Sequence, residues 1–158
     1  MTYSKVGFKT VKAEIERIFN CGKEQKDWNL VPDEIHILAE SSGVQLKWDE
    51  IANWNNEKHD YSDDEFLEIA YIKDFTSENI YIITDECFKD GMAFSVATVD
   101  LISFIEIVYN EEMRMEFPQP SDFIFVQPTN NLITMIHHEG VRTKYSVSKK
   151  TTSANIGG

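Results

Sequence analysis

From residue 66 onwards the sequence is dominated by short stretches rich in β-branched and aromatic residues, each bounded by turn-forming residues. Such stretches are typical of strands in an antiparallel sheet. Two of them are separated by Asp90-Gly91, a dipeptide that favours hairpin turns. The predicted strands are 66–73, 79–85, 92–99, 123–126, 132–137 and 141–147. We expect the first three to form an antiparallel meander and the last three to extend the same sheet.

The prediction for residues 66–73 competes with a helix. Ser62 and Glu65 match a capping box, which is a signal for the beginning of a helix. From Leu67 to Tyr71, however, apolar residues occupy every second position, as they do in a half-buried strand. We interpret this alternation in favour of the strand.

Two helices are predicted to pack against the sheet. The first is amphipathic and runs from about Phe8 to Asn20, because its apolar residues recur at helical spacing between charged ones. The second covers residues 101–115, with Asp100 as its N-cap. Apolar residues cover more than one face of this second helix, so we expect it to be largely buried. Separate helices and antiparallel strands define an α+β fold.

The stretch from Trp28 to Trp54 allows two interpretations. Residues 34–40 and 44–48 can form a hairpin around the turn at 41–43, or residues 34–40 can form a short helix that ends at Gly43. We prefer the hairpin. Asp49 then resembles the N-cap of a further short helix that extends to Trp54.

The chain has 158 residues, a length typical of one domain. We expect a single domain over residues 1–147, followed by a polar tail over 148–158 that is predicted to be disordered. The two cysteines are not arranged in a CxxC pattern, which favours free thiols and a cytoplasmic location. The N-terminus shows no apolar signal-peptide core, and no apolar run reaches the roughly 18 residues that a membrane span requires.

Charge is distributed unevenly along the chain, whose net charge is −12. Residues 33–100 carry seventeen acidic and four basic side chains, whereas residues 101–158 carry six acidic and five basic ones. Residues 1–32 have a small basic excess. A negative field of this kind repels nucleic acid and anionic membranes, and it attracts basic proteins. The expected partner is therefore a basic protein, with no direct contact to nucleic acid or membrane.

Carboxylates form two groups that are candidates for binding a partner. The first is Asp60, Asp63, Asp64, Glu65 and Glu68, and the second is Asp85, Glu86 and Asp90. For the first group, three interpretations remain open, which are a solvated loop, a surface for a basic protein and a divalent cation site. The cation site is the least favoured, because the ligand spacing of calcium-binding loops is absent.

Other residues give weaker indications of chemistry. His137 and His138 are adjacent on a predicted strand and therefore point to opposite faces, which disfavours a shared metal ion. Cys87 has no histidine beside it to activate a thiolate. The sequence contains no catalytic motif and no Gly-rich phosphate loop, so we predict no cofactor, no metal and no enzymatic activity.

The size of the chain, the acid-rich YSDDEFLE segment and the order of IYIITDE, DLISFIEIVY and DFIFVQP carry a resemblance over residues 60–147. In these features the chain resembles bacterial immunity proteins of contact-dependent inhibition and polymorphic-toxin systems. The resemblance implies a cytoplasmic inhibitor that binds a cognate toxin domain, for which a nuclease with a cationic cleft is the expected kind. Two alternatives remain, a phage-type nucleic-acid mimic that blocks a DNA-binding protein and a small enzyme or ligand-binding domain. In the last case His137, Glu139, Tyr71 or Asp85 would converge in a pocket.

Overall fold

The computed structural model describes residues 2–21, 27–56, 58–72, 78–114 and 122–147, without the side chain of Glu111. These residues form a seven-stranded antiparallel sheet in the order β1-β4-β3-β5-β6-β7-β2, with helices on both faces. The strands are β1 (Tyr3–Gly7), β2 (Gln45–Glu50), β3 (Asn79–Ile83), β4 (Met92–Ala97), β5 (Phe123–Gln127), β6 (Leu132–Ile136) and β7 (Val141–Ser146). The α+β fold class is confirmed.

The helices divide between the two faces of the sheet. They are α1 (Phe8–Phe19), α2 (Pro32–Ser41), α3 (Asp63–Ile69) and α4 (Leu101–Ser103), which continues as a π-helix over Phe104–Glu112. Short 3₁₀ helices cover Asp85–Lys89 and Thr98–Asp100. No helix among the described residues is both long and apolar enough to cross a membrane.

Helices α1 and α2 cover the face to which Tyr145 of β7 points. The amphipathic pattern of α1 buries Val11, Ile15, Ile18 and Phe19, and the Phe19 ring meets the Tyr145 ring edge-on at 5.7 Å. From α2, the His36 Nδ1 lies 2.6 Å from the Tyr145 hydroxyl. These contacts tie both helices to the C-terminal part of the sheet.

The opposite face carries α3 and the π-helix. Tyr109 of the π-helix packs edge-on against Phe123 of β5 at 5.6 Å, and Phe104 packs against Phe94 of β4 at 5.1 Å. Because helices cover both faces of the central strand β5, all five of its residues are buried. The hydrophobic core is therefore built on both sides of β5.

The predicted strand over 66–73 is wrong. Helix α3 occupies Asp63–Ile69 and begins with the capping box, in which Glu65 N donates to Ser62 Oγ at 3.2 Å and Ser62 N donates to Glu65 Oε1 at 2.9 Å. The capping signal therefore outweighs the alternating pattern. Since this strand is absent, the predicted three-stranded meander reduces to β3 and β4, and β5 occupies the other side of β3.

The hairpin preferred for residues 34–48 is also wrong in its first half. Pro32 begins α2, where its fixed φ and missing N–H are tolerated, and the helix buries Ile35, Leu38 and Ala39 at helical spacing. The second half is a strand, β2, but it pairs with β7. Asp49 lies within β2 and begins no helix, since residues 45–50 are held in register by β7.

The other predicted elements are found, with one omission. Helix α1 and the predicted strands over 79–85, 92–99, 123–126, 132–137 and 141–147 appear with small changes of boundary. The helix predicted over 101–115 is present through Glu112, although most of it is π-helical. Strand β1 was not predicted, and it pairs with β4 at one edge of the sheet. Met115 and the predicted tail 148–158 lie outside the described residues.

Candidate functional site

Carboxylates that flank several adjacent strands lie at one end of the sheet. In the register, Ile83 at the end of β3 lies opposite Ile124, and Phe123 at the start of β5 lies opposite Ile136 at the end of β6. Residues that follow β3, precede β5 or follow β6 therefore lie at the same end. The start of β4 lies there too, because Ile82 pairs with Phe94. The carboxylates in these positions, which we call the acidic end, are Asp85, Glu86, Asp90, Asp122 and Glu139.

His138 contacts two carboxylates of the acidic end, those of Asp122 and Glu139. Its backbone N–H donates to Asp122 Oδ1 at 2.7 Å, and its Nδ1 lies 3.1 Å from the same oxygen. Its Nε2 lies 3.7 Å from Glu139 Oε1. Burial raises the pKa of Asp85, and the nearby Asp122 carboxylate raises that pKa further, while His138 opposes the shift. Asp85 therefore carries its negative charge at an energetic cost, whereas the hydrogen bond from Lys5 lowers the pKa of Asp90.

Basic side chains neutralise the flank of the acidic end. Lys5 of β1 lies 3.1 Å from Asp90, and Lys89 lies 2.9 Å from Glu86. Both pairs are largely solvent-exposed at the lysine, so they contribute little to stability. Phe88 lies in the same 3₁₀ helix as Glu86 and Lys89 and exposes 46% of its surface, although its ring also contacts Phe8 edge-on at 5.2 Å. An exposed apolar side chain is therefore next to these carboxylates in the chain.

The loop after β2 connects the acidic end to α3. Ile51 N donates to Gly140 O at 2.8 Å, and Trp54 Nε1 donates to His138 O at 3.0 Å, so the loop is attached to the β6-β7 turn. The Tyr61 hydroxyl then donates to Ala52 O at 2.9 Å. Since Tyr61 precedes α3 by two residues, the first turn of α3 begins beside the same end of the sheet.

The first group of predicted site residues divides into two kinds. Asp60, Asp63 and Asp64 are exposed and have no ion-pair partner among the described residues. Glu65 closes the capping box and also lies 2.9 Å from His59, and the Ser62 backbone N–H is the largest cause that lowers its pKa. The Asp60, Asp63 and Asp64 carboxylates are thus available to a partner, whereas Glu65 is committed to the helix start.

Glu68 belongs to a cluster that the sequence did not reveal. It lies 3.1 Å from Arg142, a buried side chain whose fork also donates to both oxygens of Asp49 at 2.9 and 2.5 Å. The Arg142 guanidinium carbon lies 4.1 Å from the centre of the Tyr71 ring. Arg142 also donates to the backbone carbonyls of Glu68 and Ile69. The cluster joins β2, β7 and α3, and its groups satisfy one another.

The far end of the sheet has a different chemistry. There β3 begins at Asn79, β5 ends at Gln127, β7 ends at Ser146 and β2 begins at Gln45, all of which are uncharged. A cleft of about 540 Å³ opens at this end, and the residues that line it include no carboxylate and no histidine. Carboxylates flank the strands at this end too, at Glu78 before β3 and at Asp100 after β4, but they are fewer than at the acidic end.

The residues proposed for an enzyme site do not all come together. Asp85, His137 and Glu139 lie at the acidic end, where Asp122 and His138 are near Asp85, whereas Tyr71 lies with Asp49 and Arg142. The described residues contain no group of three or more histidine, cysteine or acidic side chains arranged to hold a metal ion. Cys87 is buried, and burial raises the pKa of its thiol.

The tryptophans divide in a way that the sequence did not indicate. Trp28 and Trp54 are buried. Trp48 on β2, in contrast, exposes 66% of its surface. Its position on an edge strand, where solvent reaches one side, explains the difference.

Comparisons with known proteins give no match, so the functional argument is based on the fold and on the acidic end. No protein-family model matches the sequence, and no curated protein and no solved structure gives a significant match.

Proposed function

We propose that the chain is an immunity protein that binds and neutralises a cognate basic toxin domain, of which a nuclease is the best candidate. It acts by binding, without catalysis, and in the cytoplasm. The observation that carries the proposal is the collection of carboxylates from several adjacent strands, and from the start of α3, at one end of the sheet. A nuclease cleft that binds phosphates presents a complementary cationic surface.

The energetics of the acidic end support a binding role. A carboxylate whose pKa is raised by burial and by a neighbouring carboxylate, as at Asp85, destabilises the isolated protein at neutral pH. A cationic partner would relieve that repulsion on binding. Phe88 adds an exposed ring that is suited to fill an apolar pocket, which is the usual property of an energetically dominant interface residue.

The alternatives receive less support. A mimic of nucleic acid requires carboxylates spaced in a row like phosphates, whereas these carboxylates are gathered at one end of the sheet. An enzyme requires convergent catalytic groups in a cleft. The cleft of about 540 Å³ is lined without carboxylates or histidines, and a second cleft of about 420 Å³ is lined by two carboxylates, Glu50 and Glu139, and by no histidine.

The test is a binding measurement with the product of the neighbouring gene, which on this proposal encodes the toxin. The two proteins are co-purified, and association rates are measured by stopped-flow fluorescence at two salt concentrations. We expect tight binding and an association rate that falls as salt is raised. Loss of the toxin's nuclease activity on addition of the protein measures neutralisation.

Charge-reversal variants locate the surface. Asp63→Lys together with Asp64→Lys should slow association by at least about ten-fold, because both carboxylates are exposed beside the acidic end. Phe88→Ala should accelerate dissociation. Glu78→Lys is the control, since it changes one carboxylate to a lysine at the opposite end of the sheet, before β3. An unchanged association rate in the double variant would remove this surface from the proposal.

A further inference from the structure

In the part of the chain that the structure describes, strand β2 forms an open edge of the sheet with exposed apolar side chains. In the strand order it has one neighbour, β7. Its residues are exposed apart from Asp49, and Leu46 and Trp48 expose 40% and 66% of their surfaces on the same face. An edge of this kind is a template for the addition of another strand.

The pairing of β2 with β7 determines which backbone N–H and C=O groups of β2 point towards the open edge. Ile51 and Gly140 continue the β2-β7 register, and Ile51 N donates to Gly140 O at 2.8 Å. In an antiparallel pair, hydrogen-bonded positions alternate along the strand. The backbone groups of Gln45, Lys47 and Asp49 therefore point towards β7. Those of Leu46, Trp48 and Glu50 point away from it, towards the open edge.

Charge along the edge indicates what can pair there. On the face shared with α3, Lys47 lies directly opposite Lys144 of β7, and like charges at opposed positions are unfavourable. Two residues along, Asp49 exposes 45% of its side chain although it is bound to Arg142. An added strand that places a carboxylate opposite Lys47 and a cation opposite Asp49 therefore fits the edge.

We propose that a second copy of this chain supplies that strand, through antiparallel β2-β2 pairing about a two-fold axis at Trp48. This register places Lys47 opposite Asp49 of the second copy, twice by symmetry, and the two Trp48 rings side by side. Leu46, Trp48 and Glu50 then use their outward backbone groups in about six hydrogen bonds between the copies. Centring the axis on Lys47 would place two lysines opposite each other, and we reject that register.

The pairing joins the two sheets into one continuous sheet and reverses the direction of the second copy. Its two acidic ends therefore point in opposite directions, and neither is covered by the β2 edge. The dimer is thus independent of toxin binding, and either proposal can fail without the other.

The first experiment measures mass by sedimentation equilibrium over a range of protein concentrations, using the full chain. We expect a monomer-dimer equilibrium. Leu46→Pro removes an outward N–H without removing a β2-β7 hydrogen bond, because proline is tolerated on the open side of an edge strand. It should weaken dimerisation by at least about ten-fold while leaving the circular dichroism spectrum and Tm of the monomer nearly unchanged. A protein that stays monomeric at all concentrations would overturn the proposal.

The second experiment tests the register by cross-linking in a Cys21→Ser background. Trp48→Cys places two thiols opposite each other across the two-fold axis, at a Cα separation of about 5.5 Å that a disulfide can bridge. We expect most of this variant to form a disulfide-linked dimer under mild oxidation. Leu46→Cys is the matched control, since its opposite residue is Glu50 and little dimer should form. Equal cross-linking of the two variants, or cross-linking of Leu46→Cys alone, would contradict the proposed register.

Discussion

Arg142 and Asp49 lie directly opposite each other on β7 and β2, and the guanidinium of Arg142 donates to both carboxylate oxygens of Asp49. Arg142 is 5% exposed and also reaches the carboxylate of Glu68. Burial lowers the pKa of Arg142, but the hydrogen bond to Asp49 and the charges of the surrounding acidic groups together outweigh burial and raise that pKa. The pair therefore fastens the edge strand β2 to the rest of the sheet.

Replacement of Asp49 by asparagine should lower stability in a pH-dependent manner. The Arg142 hydrogen bond holds the Asp49 pKa below its ordinary value of 3.8, although burial opposes the shift. The stabilisation is therefore fully present above the unfolded pKa of about 4 and is lost as pH falls through the lower folded value. We expect a cost near neutral pH of about 1 kcal/mol, reduced by the 45% exposure of the Asp49 side chain.

Urea denaturation of the wild type and Asp49→Asn across the acid range measures this difference. The two curves of unfolding free energy should converge as pH falls. Asp63→Asn serves as the control, because Asp63 is exposed and has no ion-pair partner in the described part of the chain. A gap between the curves that stays constant to the lowest pH would show that ionisation of Asp49 is not its source.

Replacement of Asp85 by asparagine should raise the stability of the protein, in contrast to the replacement of Asp49. Burial, and then the Asp122 carboxylate, raise the pKa of Asp85, so its ionised form opposes folding at pH values above the folded pKa. Asp85→Asn should therefore be more stable than the wild type near neutral pH, and this gain should vanish as pH falls below the unfolded pKa of about 4. Thermal unfolding at several pH values measures the effect. A loss of stability at neutral pH would refute the proposed repulsion.

Substitution of Gly140 should weaken the attachment of the loop after β2. Gly140 has a φ of +90°, and an added Cβ would lie 2.5 Å from Cγ of Trp54. Both effects act in the same direction, so Gly140→Ala should cost about 2 kcal/mol or more. Gly7→Ala is the matched control, because nothing lies within 4 Å of its added Cβ. Urea denaturation followed by tryptophan fluorescence compares the variants, and equal stability of the two would contradict the expectation.

The two thiols should differ sharply in reactivity. Cys87 is 2% exposed, and burial raises the pKa of its thiol, so little reactive thiolate forms. Cys21 is partly exposed, with its sulfur 3.3 Å from the Ser42 hydroxyl. A thiol reagent should therefore modify Cys21 quickly and Cys87 only after denaturation. Cys21→Ser and Cys87→Ser identify the two phases, and rapid labelling of Cys87 in the folded protein would count against the buried position.

Local sequence patterns were sufficient to predict those helices and strands whose own residues show a clear helical or strand pattern. Helix α1 has both a full apolar stripe and charged residues between, and β5 to β7 are rich in β-branched and aromatic residues. The failures at residues 34–40 and 66–73 concern helices of ten and seven residues. Segments that short fit both helical and strand periodicity, and in each the helix-start signal, Pro32 or Ser62, was the better guide. Strand β1 has only Val6 and Tyr3 as large apolar residues, so it gave no strand signal.

Counting charges along the sequence was enough to predict that the candidate site is acidic. It was not enough to predict all the residues that form the site. Asp122 and Glu139 were not among the predicted partner-binding residues, because their proximity to Asp85 depends on the placement of β5 between β3 and β6. No local pattern encodes that order. The contact between Arg142 and Asp49 spans 93 residues and was hidden for the same reason.

The attachment of Trp54 to the β6-β7 turn separates two kinds of position within one short loop. Trp54 and Ile51 are buried and hold the loop in place, while Asn53, Asn55 and Asn56 beside them are exposed. Substitutions at exposed positions usually change stability by little. Asn55 and Asn56 can therefore vary with little effect on the fold, while Trp54 and Ile51 keep the loop attached to the β6-β7 turn.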